Sequence, residues 1–495
     1  MPKVRNAGSF LAAAVALVFG LFLLYLFDLL PSWPSQLSAG RLLLWLGSAL
    51  GLAAAVWLVW RGGSAILARK PVTASPRSTR HSLPRIEARF EEFNHSDKTS
   101  ASEIVDYLMQ QAVWHQASDV HLVPYADFTL VRLRIDGILQ DVARLSPRLR
   151  DLVTNRLKVL AQVVIYVRDK PQDGRFAVQG GGDRKIDIRA SFMPTLHGER
   201  VVLRVLERSE VEYGLGRLGF LPAQLDQMNA ILSRPQGLLI LTGPTGSGKT
   251  TTIYCALRAI VERTKGAASV YTLEDPIEYD LLNINQTQIE ESQGVTFASG
   301  LRTMLRQDPD VIMVGEVRDL ETGRIAIQAG MTGHIIITTV HADRASGVFM
   351  RLTEIGVDEH SIASAVTAVV AQRLLRVLCP HCRRPQLPTP GEEARLGQSL
   401  AGAQLYGAVG CPQCNMKGYA GRRAVYEILE VDEAIRALIV SRASSEKIHQ
   451  AAVARGMTSL TASGLALAQQ GETTLDEVLR VLPAEGRTNE RMAPR

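Results

Sequence analysis

Gly243-Pro244-Thr245-Gly246-Ser247-Gly248-Lys249-Thr250 fits the pattern G-x-x-x-x-G-K-[ST] in full. A loop of this kind turns backbone N–H groups onto phosphate oxygens, at a helix N-terminus that already favours anions. Lys249 is placed to reach the β- and γ-phosphates of ATP and the Thr250 hydroxyl to hold Mg²⁺, with Thr251 completing the expected contact stretch. The chance alternative is a plain Gly-rich turn. Against it, Gly237–Thr242 is an apolar run that reads as a buried strand, and Thr250–Glu262 reads as the helix that should follow.

Three later segments supply what phosphoryl transfer needs, carboxylates for metal and water and cations for developing charge. Leu273-Glu274-Asp275-Pro276-Ile277-Glu278 closes one strand-like run. Asp308 to Arg318 is an apolar strand ending in Glu316, the Walker B position, with Gly315 where many such sequences carry Asp. Thr332-Gly333-His334 and Val340-His341 place a histidine on either side of a third strand. His334 and His341 could sense the γ-phosphate or a neighbouring subunit; taken singly, each reads as structural. The carboxylates alone could be solvated loop residues, but strand ends are the edge where α/β sheets bind ligands.

Cys379-Pro-His-Cys382 and Cys411-Pro-Gln-Cys414 form a second chemical set. Four thiolates suit a closed tetrahedral Zn²⁺ site, in which two knuckles pin the ends of a weakly packed loop. Free thiols or an Fe–S centre are the alternatives. His381 lies inside a knuckle but is not needed to complete the set, and Cys255 reads as plain core. An ATP-using body is cytosolic, where paired cysteines argue for metal rather than cystine.

The elements that position these residues are an α/β alternation. Strand-like runs recur at 268–273, 311–315 and 334–340 with helical segments between, which predicts a RecA-like P-loop core with a parallel sheet over 226–378. A preceding α/β domain, PAS-like, spans 99–225. In it Ser100-Ala-Ser-Glu103 is a capping box, Asp119–Val123 and Phe128–Ile135 read as strands, and Pro147–Val164 reads as a helix. The cysteine insertion covers 379–416, a helical region 417–482, and a disordered polar tail 483–495.

The N-terminal part reads differently. Gly8–Phe27 and Leu42–Trp60 are two charge-free apolar stretches, each about one bilayer core in helical length, joined by a short turn containing Pro31 and Pro34. Residues 1–60 are therefore expected to form a transmembrane hairpin, with 61–98 a basic linker that holds a short helix over Ile86–Phe93. The net charge is +6, and 61–85 alone carries six Arg and Lys with no acid. The rest of the 495-residue chain is thus neutral, which argues for membrane lipid and against a nucleic-acid channel. By the positive-inside rule both ends of the hairpin, and the ATP-using body that follows it, lie in the cytoplasm. A cleaved signal peptide is the alternative for the first stretch, and it conflicts with an ATP-dependent body.

Taken together, residues 100–482 resemble the type II secretion and type IV pilus assembly ATPases (GspE/PilB-like). The resemblance is carried by Ala117-Ser-Asp-Val-His-Leu-Val-Pro124, Arg134-Ile-Asp-Gly137, Gln172-Asp-Gly-Arg-Phe176 and His197-Gly-Glu-Arg-Val-Val-Leu-Arg204. Segments 273–278, 308–319 and 332–342 resemble the family's Asp box, Walker B and His box. The cysteine pairs followed by Gly418-Tyr-Ala-Gly-Arg-Arg-Ala-Val-Tyr-Glu427 resemble its zinc-bearing region. The resemblance implies ATP hydrolysis, a homo-hexameric ring, and work on an inner-membrane platform protein so that pilin-like subunits are extruded. It also implies that Glu274 orients the attacking water and Glu316 supports metal or water. Arg189 and Arg204 would complete the site on domain closure, and Arg302, Arg306 and Arg318 match arginines of the core. A salt-bridge role rivals this for Arg302 and Arg306. Two departures stand out: His341-Ala-Asp-Arg344 replaces the usual His-Thr-Asn-Asp, and the hairpin stands where many members carry a soluble docking domain. A nucleic-acid translocase and a non-hydrolysing membrane scaffold are the rival functions. Intact Lys249, Thr250, Glu274 and Glu316 argue against the scaffold.

Overall fold

The computed structural model describes residues 83–96, 98–180, 185–206, 214–396, 400 and 402–482. The expected hairpin of 1–60, most of the basic linker and the tail from 483 lie outside those residues. Among the described residues no helix is long and apolar enough to cross a membrane.

The smaller domain is an antiparallel sheet in the order β3-β2-β1-β6-β5-β4. Its strands are β1 (Ala117–Pro124), β2 (Thr129–Ile135), β3 (Ile138–Leu145), β4 (Gln172–Gln179), β5 (Lys185–Thr195) and β6 (Gly198–Leu206). Helices α1 (Leu83–His95), α2 (Ala101–Trp114) and α3 (Pro147–Ala161) cover one face. Strict alternation in β2 sends Val131 and Leu133 into that core and leaves Arg132 and Arg134 on the other face. The Ser100 hydroxyl accepts the Glu103 N–H at 3.1 Å, which caps α2 as the sequence predicts. The helix expected inside the linker is longer than its apolar core implies. It runs from Leu83 and buries Ile86, Phe90 and Phe93 against the sheet, so this domain begins before residue 99. Helix α3 stops at Ala161 rather than Val164, because Gln162 turns into the left-handed region at φ 61°.

The larger domain is a sheet in the order β15-β12-β7-β11-β10-β8-β9. Strands β7 (Gly237–Thr242), β8 (Val270–Glu274), β9 (Asn285–Gln288), β10 (Val311–Val314), β11 (Ile335–Thr339) and β12 (Val366–Leu378) run parallel. Every residue of β7 is buried, as a parallel strand covered on both faces requires. Its alternation feeds two layers. Leu239 and Leu241 meet α4 (Pro222–Leu232) and α5 (Lys249–Arg263). Leu238 and Ile240 meet the layer holding α6 (Phe297–Met304), α7 (Leu320–Met331), α8 (Gly347–Ile355) and α9 (Glu359–Ala365).

The cysteine insertion holds the short pair β13 (Arg383–Gln386) and β14 (Leu405–Ala408) with α10 (Pro390–Leu396) between them. The region after it is not all helical. β15 (Tyr419–Glu430) runs antiparallel to β12 and extends the main sheet, because Val425, Tyr426 and Ile428 suit the half-open edge that β12 offers. Four helices then follow, α11 (Glu433–Val440), α12 (Ser445–Ala454), α13 (Leu460–Gln469) and α14 (Leu475–Val481), each with an N-cap side chain accepting a backbone N–H.

Glu477 fastens α14 to the sheet. Its carboxylate is buried and accepts from Arg376 of β12 at 2.7 Å and from Arg480 at 2.6 Å. Burial opposes its ionisation, but the Arg480 and Arg376 hydrogen bonds outweigh that and hold the carboxyl below its ordinary 4.5. A depressed folded value means the stabilisation is complete above pH 4.5 and is lost as pH falls through the folded value. Hydrogen exchange over 475–482 should therefore accelerate as pH falls below 4.5. Glu477→Gln should show that loosening already at neutral pH, at a cost on the order of 3 kcal/mol. Equal acid sensitivity in Glu477→Gln and the parent would refute the assignment.

Candidate functional site

Register brings the site together. Val314 pairs with Leu273 and with Thr338, and Thr338 pairs with Ile240. Strands β7, β8, β10 and β11 therefore end at one edge, and the loops that follow carry Gly243, Asp275, Glu316 and His341. The ladder runs slightly past the strands, with Gly315 N donating to Leu273 O at 2.8 Å and Val340 N to Leu241 O at 3.1 Å.

The loop Gly243–Thr250 is shaped by β12 behind it. Gly243 sits at φ 148°, and a Cβ there would lie 2.5 Å from Gln372 O. Gly248 sits at φ 88°, and its Cβ would meet Gln372 Nε2 at 2.9 Å. Only glycine satisfies both constraints. The buried Gln372 amide donates to Ser247 O at 2.8 Å and accepts from Thr252 Oγ1 at 2.8 Å, tying loop and helix α5 to one side chain. Pro244, Thr245, Gly246 and Thr251 are exposed, Ser247 is buried, and Thr250 is half-buried. Lys249 Nζ donates to Gly243 O at 2.8 Å and Pro244 O at 3.1 Å. Burial lowers the Lys249 pKa, as does Arg373 nearby, while Glu316 works the other way. The result is a ring of backbone amides and one ammonium at a helix N-terminus, an arrangement that binds polyphosphate.

The two candidate glutamates have different surroundings. Glu316 is mostly buried, with one oxygen paired to Arg318 and the other 3.9 Å from His341 Nε2. Glu274 is 3% exposed and accepts from Thr272 Oγ1 at 2.6 Å, Gln286 Nε2 at 2.9 Å and the Tyr254 hydroxyl. Burial and the bond to Glu274 push the Tyr254 phenol up, so it stays a donor. Glu274 thus cross-links β8, β9 and α5, whereas Glu316 stands at the sheet edge. The histidines are also separated. His341 follows β11 and sits beside Glu316, but His334 precedes that strand, its Nδ1 3.2 Å from Ala329 O, about 20 Å of strand away.

The polar face of the smaller domain carries a cross-strand row, Arg134–Asp119–Arg204–Arg189–Arg175, one residue from each of five adjacent strands. Asp119 takes Arg204 Nε at 3.2 Å and Arg134 Nε at 3.3 Å. Arg189 is differently placed, lining a cavity of about 660 Å³ with Glu278 and Asp280 of the larger domain. Burial lowers its pKa, helped by Arg175, while Glu278 opposes, and its buried Nε has no hydrogen-bond partner among the described residues. The structure therefore sets Arg189 at the cleft and holds Arg204 on Asp119. Arg302, on the surface of α6, pairs with Glu321, and Arg306, in the turn after that helix, donates to Arg302 O at 3.0 Å.

The four cysteines of the insertion converge. Their Sγ atoms lie within 4.8 Å of one another, with separations of 3.9 Å for Cys379–Cys411 and 3.8 Å for Cys382–Cys414 and Cys411–Cys414. A tetrahedral Zn–S distance of about 2.3 Å demands S···S edges of about 3.8 Å, whereas a disulfide demands about 2.05 Å. The N–H groups of Cys411 and Gly418 donate to Cys414 Sγ at 3.2 and 3.1 Å. Burial would push that thiol up, but these donors bring it down to about 7. The set fits a tetrahedral metal held by thiolates.

Thr242, Tyr254, Gln372 and Arg373 belong to this edge, and motif reading does not single them out. A signal for two of them exists, a Gln-Arg pair inside the apolar run 366–378, where polar groups need partners. Tyr254 and Thr242 give no comparable signal, since both fit an apolar helix face or a buried strand.

A glycine-shaped phosphate loop, an edge glutamate and a mostly parallel sheet define a P-loop ATPase. The family model described as "Type II/IV secretion system protein" matches residues 94–480. The chain is 41% identical over 386 residues to the type II secretion system protein E of Aeromonas hydrophila, covering 78% of this chain and 76% of that protein. It is 39% identical over 389 residues to the type IV pilus assembly ATPase PilB of Myxococcus xanthus, covering 78% and 68%. The solved ATPase DotB of Legionella pneumophila shares the fold, with a TM-score of 0.57 at 19% identity over 78% of this chain and 96% of that one. The chain belongs to the type II/IV secretion system protein family and is an ATPase of that family.

Proposed function

We propose that this chain is the motor that hydrolyses ATP to power assembly of a type IV pilus or a type II secretion pseudopilus. The observation that carries the chemistry is the single sheet edge on which Lys249, Glu316 and His341 meet. In this reading the core is RecA-like, and residues Gly243–Thr251 hold the nucleotide, Lys249 on the β- and γ-phosphates and Thr250 on Mg²⁺. Mg²⁺ held by the Thr250 hydroxyl would supply charge neutralisation for the phosphates, and Lys249 adds its ammonium on the same side. Glu316 orients the attacking water, because its carboxylate faces the edge; Glu274, with three donors, positions β8 and α5 around it. Arg189 meets the γ-phosphate when the smaller domain closes, and Arg204 joins it by leaving Asp119. His334, at the far edge, is placed for a neighbouring subunit.

The work is done by a homo-hexamer on an inner-membrane platform protein, with the motor on the cytoplasmic side. Zn²⁺ on Cys379, Cys382, Cys411 and Cys414 holds the insertion together and takes no part in hydrolysis. Residues 1–60 anchor the motor as a membrane hairpin, both ends cytoplasmic, and the basic segment 61–85 lies against anionic lipid.

Lys249→Ala and Glu316→Gln should each lower Mg²⁺-dependent turnover by about 10²-fold or more. Glu274→Gln should cost stability first, measured as a lower melting temperature. Arg204→Ala should slow the assembled ring without weakening nucleotide binding. Near-normal turnover of purified Lys249→Ala would sink the assignment. Elemental analysis should give one zinc per chain, and Cys382→Ser should lose it while the nucleotide core stays folded; iron, or no metal at all, contradicts the site. Deleting residues 1–60 should release the protein to the soluble fraction with ATPase activity intact and abolish function in the cell. Full cellular function after that deletion would show that the motor docks by another surface.

A further inference from the structure

The loop after β11 reads His341-Ala342-Asp343-Arg344, and its shortest bonds to the strands that carry the phosphate loop are made by its backbone. The exposed Asp343 carboxylate comes only to 3.9 Å from Arg373 Nη2, and Ala342 has no polar group to offer. The backbone does the attaching. Thr242, the last residue of β7 and wholly buried, donates Oγ1–H to Ala342 O at 2.9 Å and accepts the Ala342 N–H at 2.8 Å. Arg373 of β12, 7% exposed, donates from Nη2 to Asp343 O at 2.6 Å and from Nη1 to Gln372 O at 3.1 Å. Two residues further on, Ala345 N donates to the buried Glu427 carboxylate at 3.1 Å.

These contacts fall on successive peptide units immediately after His341. One hydroxyl that bonds both the N–H and the C=O of a single residue fixes that residue's tilt as well as its distance. The Arg373 bond to the next carbonyl removes the remaining swing. His341 itself is more than half exposed and touches Glu316 only at 3.9 Å, so its place is set by its neighbours. Thr242 also directly precedes Gly243, and Arg373 lies where a Cβ on Gly243 would come within 3.1 Å of its Nη1. The two residues that hold the histidine loop are therefore the two that form the root of the phosphate loop.

We infer that Thr242 and Arg373 are positioning residues for ATP hydrolysis, clamping the Ala342–Asp343 backbone so that His341 and Glu316 keep register with the phosphate loop. The inference rests on the ATPase reading above. The half-buried Ala342 N–H and C=O would lose their protein partner without the Thr242 hydroxyl, and the loop would shift to recover partners. Displacements of about 1 Å near the reacting atoms can cost up to about 10²-fold in rate.

The test uses the purified full chain and compares Thr242→Val, Thr242→Ser, His341→Ala and the double variant Thr242→Val/His341→Ala. Valine keeps the shape and burial of threonine but removes the hydroxyl. Thr242→Val should bind a non-hydrolysed ATP analogue within about threefold of the parent and lose about 10- to 100-fold in kcat. Thr242→Ser, which keeps the hydroxyl, should recover most of that loss. The double variant should be no slower than His341→Ala alone, because both changes disable one unit. Parent-like kcat in Thr242→Val, equal losses with serine and valine, multiplied losses in the double variant, or full turnover by His341→Ala each overturn the inference. If Thr242→Val does not fold, Arg373→Met with and without His341→Ala carries the same comparison, and multiplied losses again overturn it. Lys249→Ala in the same assay separates the two levels. Activity there removes the ATPase reading, whereas inactivity there beside a parent-like Thr242→Val removes only the clamp.

Discussion

Parallel pairing is the constraint on which the rest of the structure depends. Strands β8, β10, β11, β7 and β12 are held in a ladder whose pairings leave no freedom to slide, since a one-residue slip would exchange the two hydrophobic layers. Locked in this way, the strands deliver their carboxyl ends to one line. The chemistry of the edge follows from where each strand happens to end: on Thr242, on Glu274, on Val314 two residues before Glu316, and on Thr339 two residues before His341. The same pairing explains why two glutamates of equal intrinsic chemistry differ. One terminates a strand next to β9 and α5, whose hydroxyl and amide donors surround it. The other lies two residues beyond its strand, where the sheet gives way to solvent.

The smaller domain obeys a different constraint. A sheet with helices on one face leaves the other without cover, and here that face holds four arginines in line with a single aspartate. Within that row one carboxylate faces four guanidiniums, and Asp173 and Asp187 alternate onto the same face beside Arg175 and Arg189. The side nearest the cleft is answered partly by Glu278 and Asp275, which act on Arg189 across the cavity. Charge of this kind makes the gap between domains sensitive to any phosphate entering it, because the phosphate and the acids compete for the same cations.

Much of this was legible in the sequence, and the reasons are local. The phosphate loop, its strand and its helix are contiguous, so spacing alone defines them. The cysteine pairs declare themselves by separation, and the Ser100 cap by its four-residue pattern. Legibility fails where a partner comes from far along the chain. Nothing near Gly243 announces that Gln372 and Arg373 will stand behind it, more than 120 residues later. Glu274 looks like any strand-end acid until Tyr254 and Gln286 are seen to surround it. The region after the insertion carries a mixed apolar pattern, and only the open edge of β12 decides that Tyr419–Glu430 becomes a strand. The two histidines show the reverse case. Their separation by a whole strand was already written in the spacing, and strand rise turns that spacing into distance.

Strand β12 has a mechanical side as well. It runs for thirteen residues, flanked by β7 at its start and β15 along most of its length, with register shifts between Val366 and Ala368 and between Arg376 and Leu378. Arg373, at the root of the phosphate loop, and Cys379, in the first knuckle, are six positions apart on the sequence, about 20 Å of pleated chain. A strand gripped by neighbours has little stretch, so it behaves as a rod and not as a spring. At its far end the second knuckle holds Asn415, whose Nδ2 lies 3.4 Å from His115 Nδ1 of the smaller domain. The smaller domain in turn presents Arg189 to the cleft beside the Asp275–Asp280 loop. Rod, knuckle, domain and cleft form a closed linkage, in which a displacement at any one joint must be taken up by all the others.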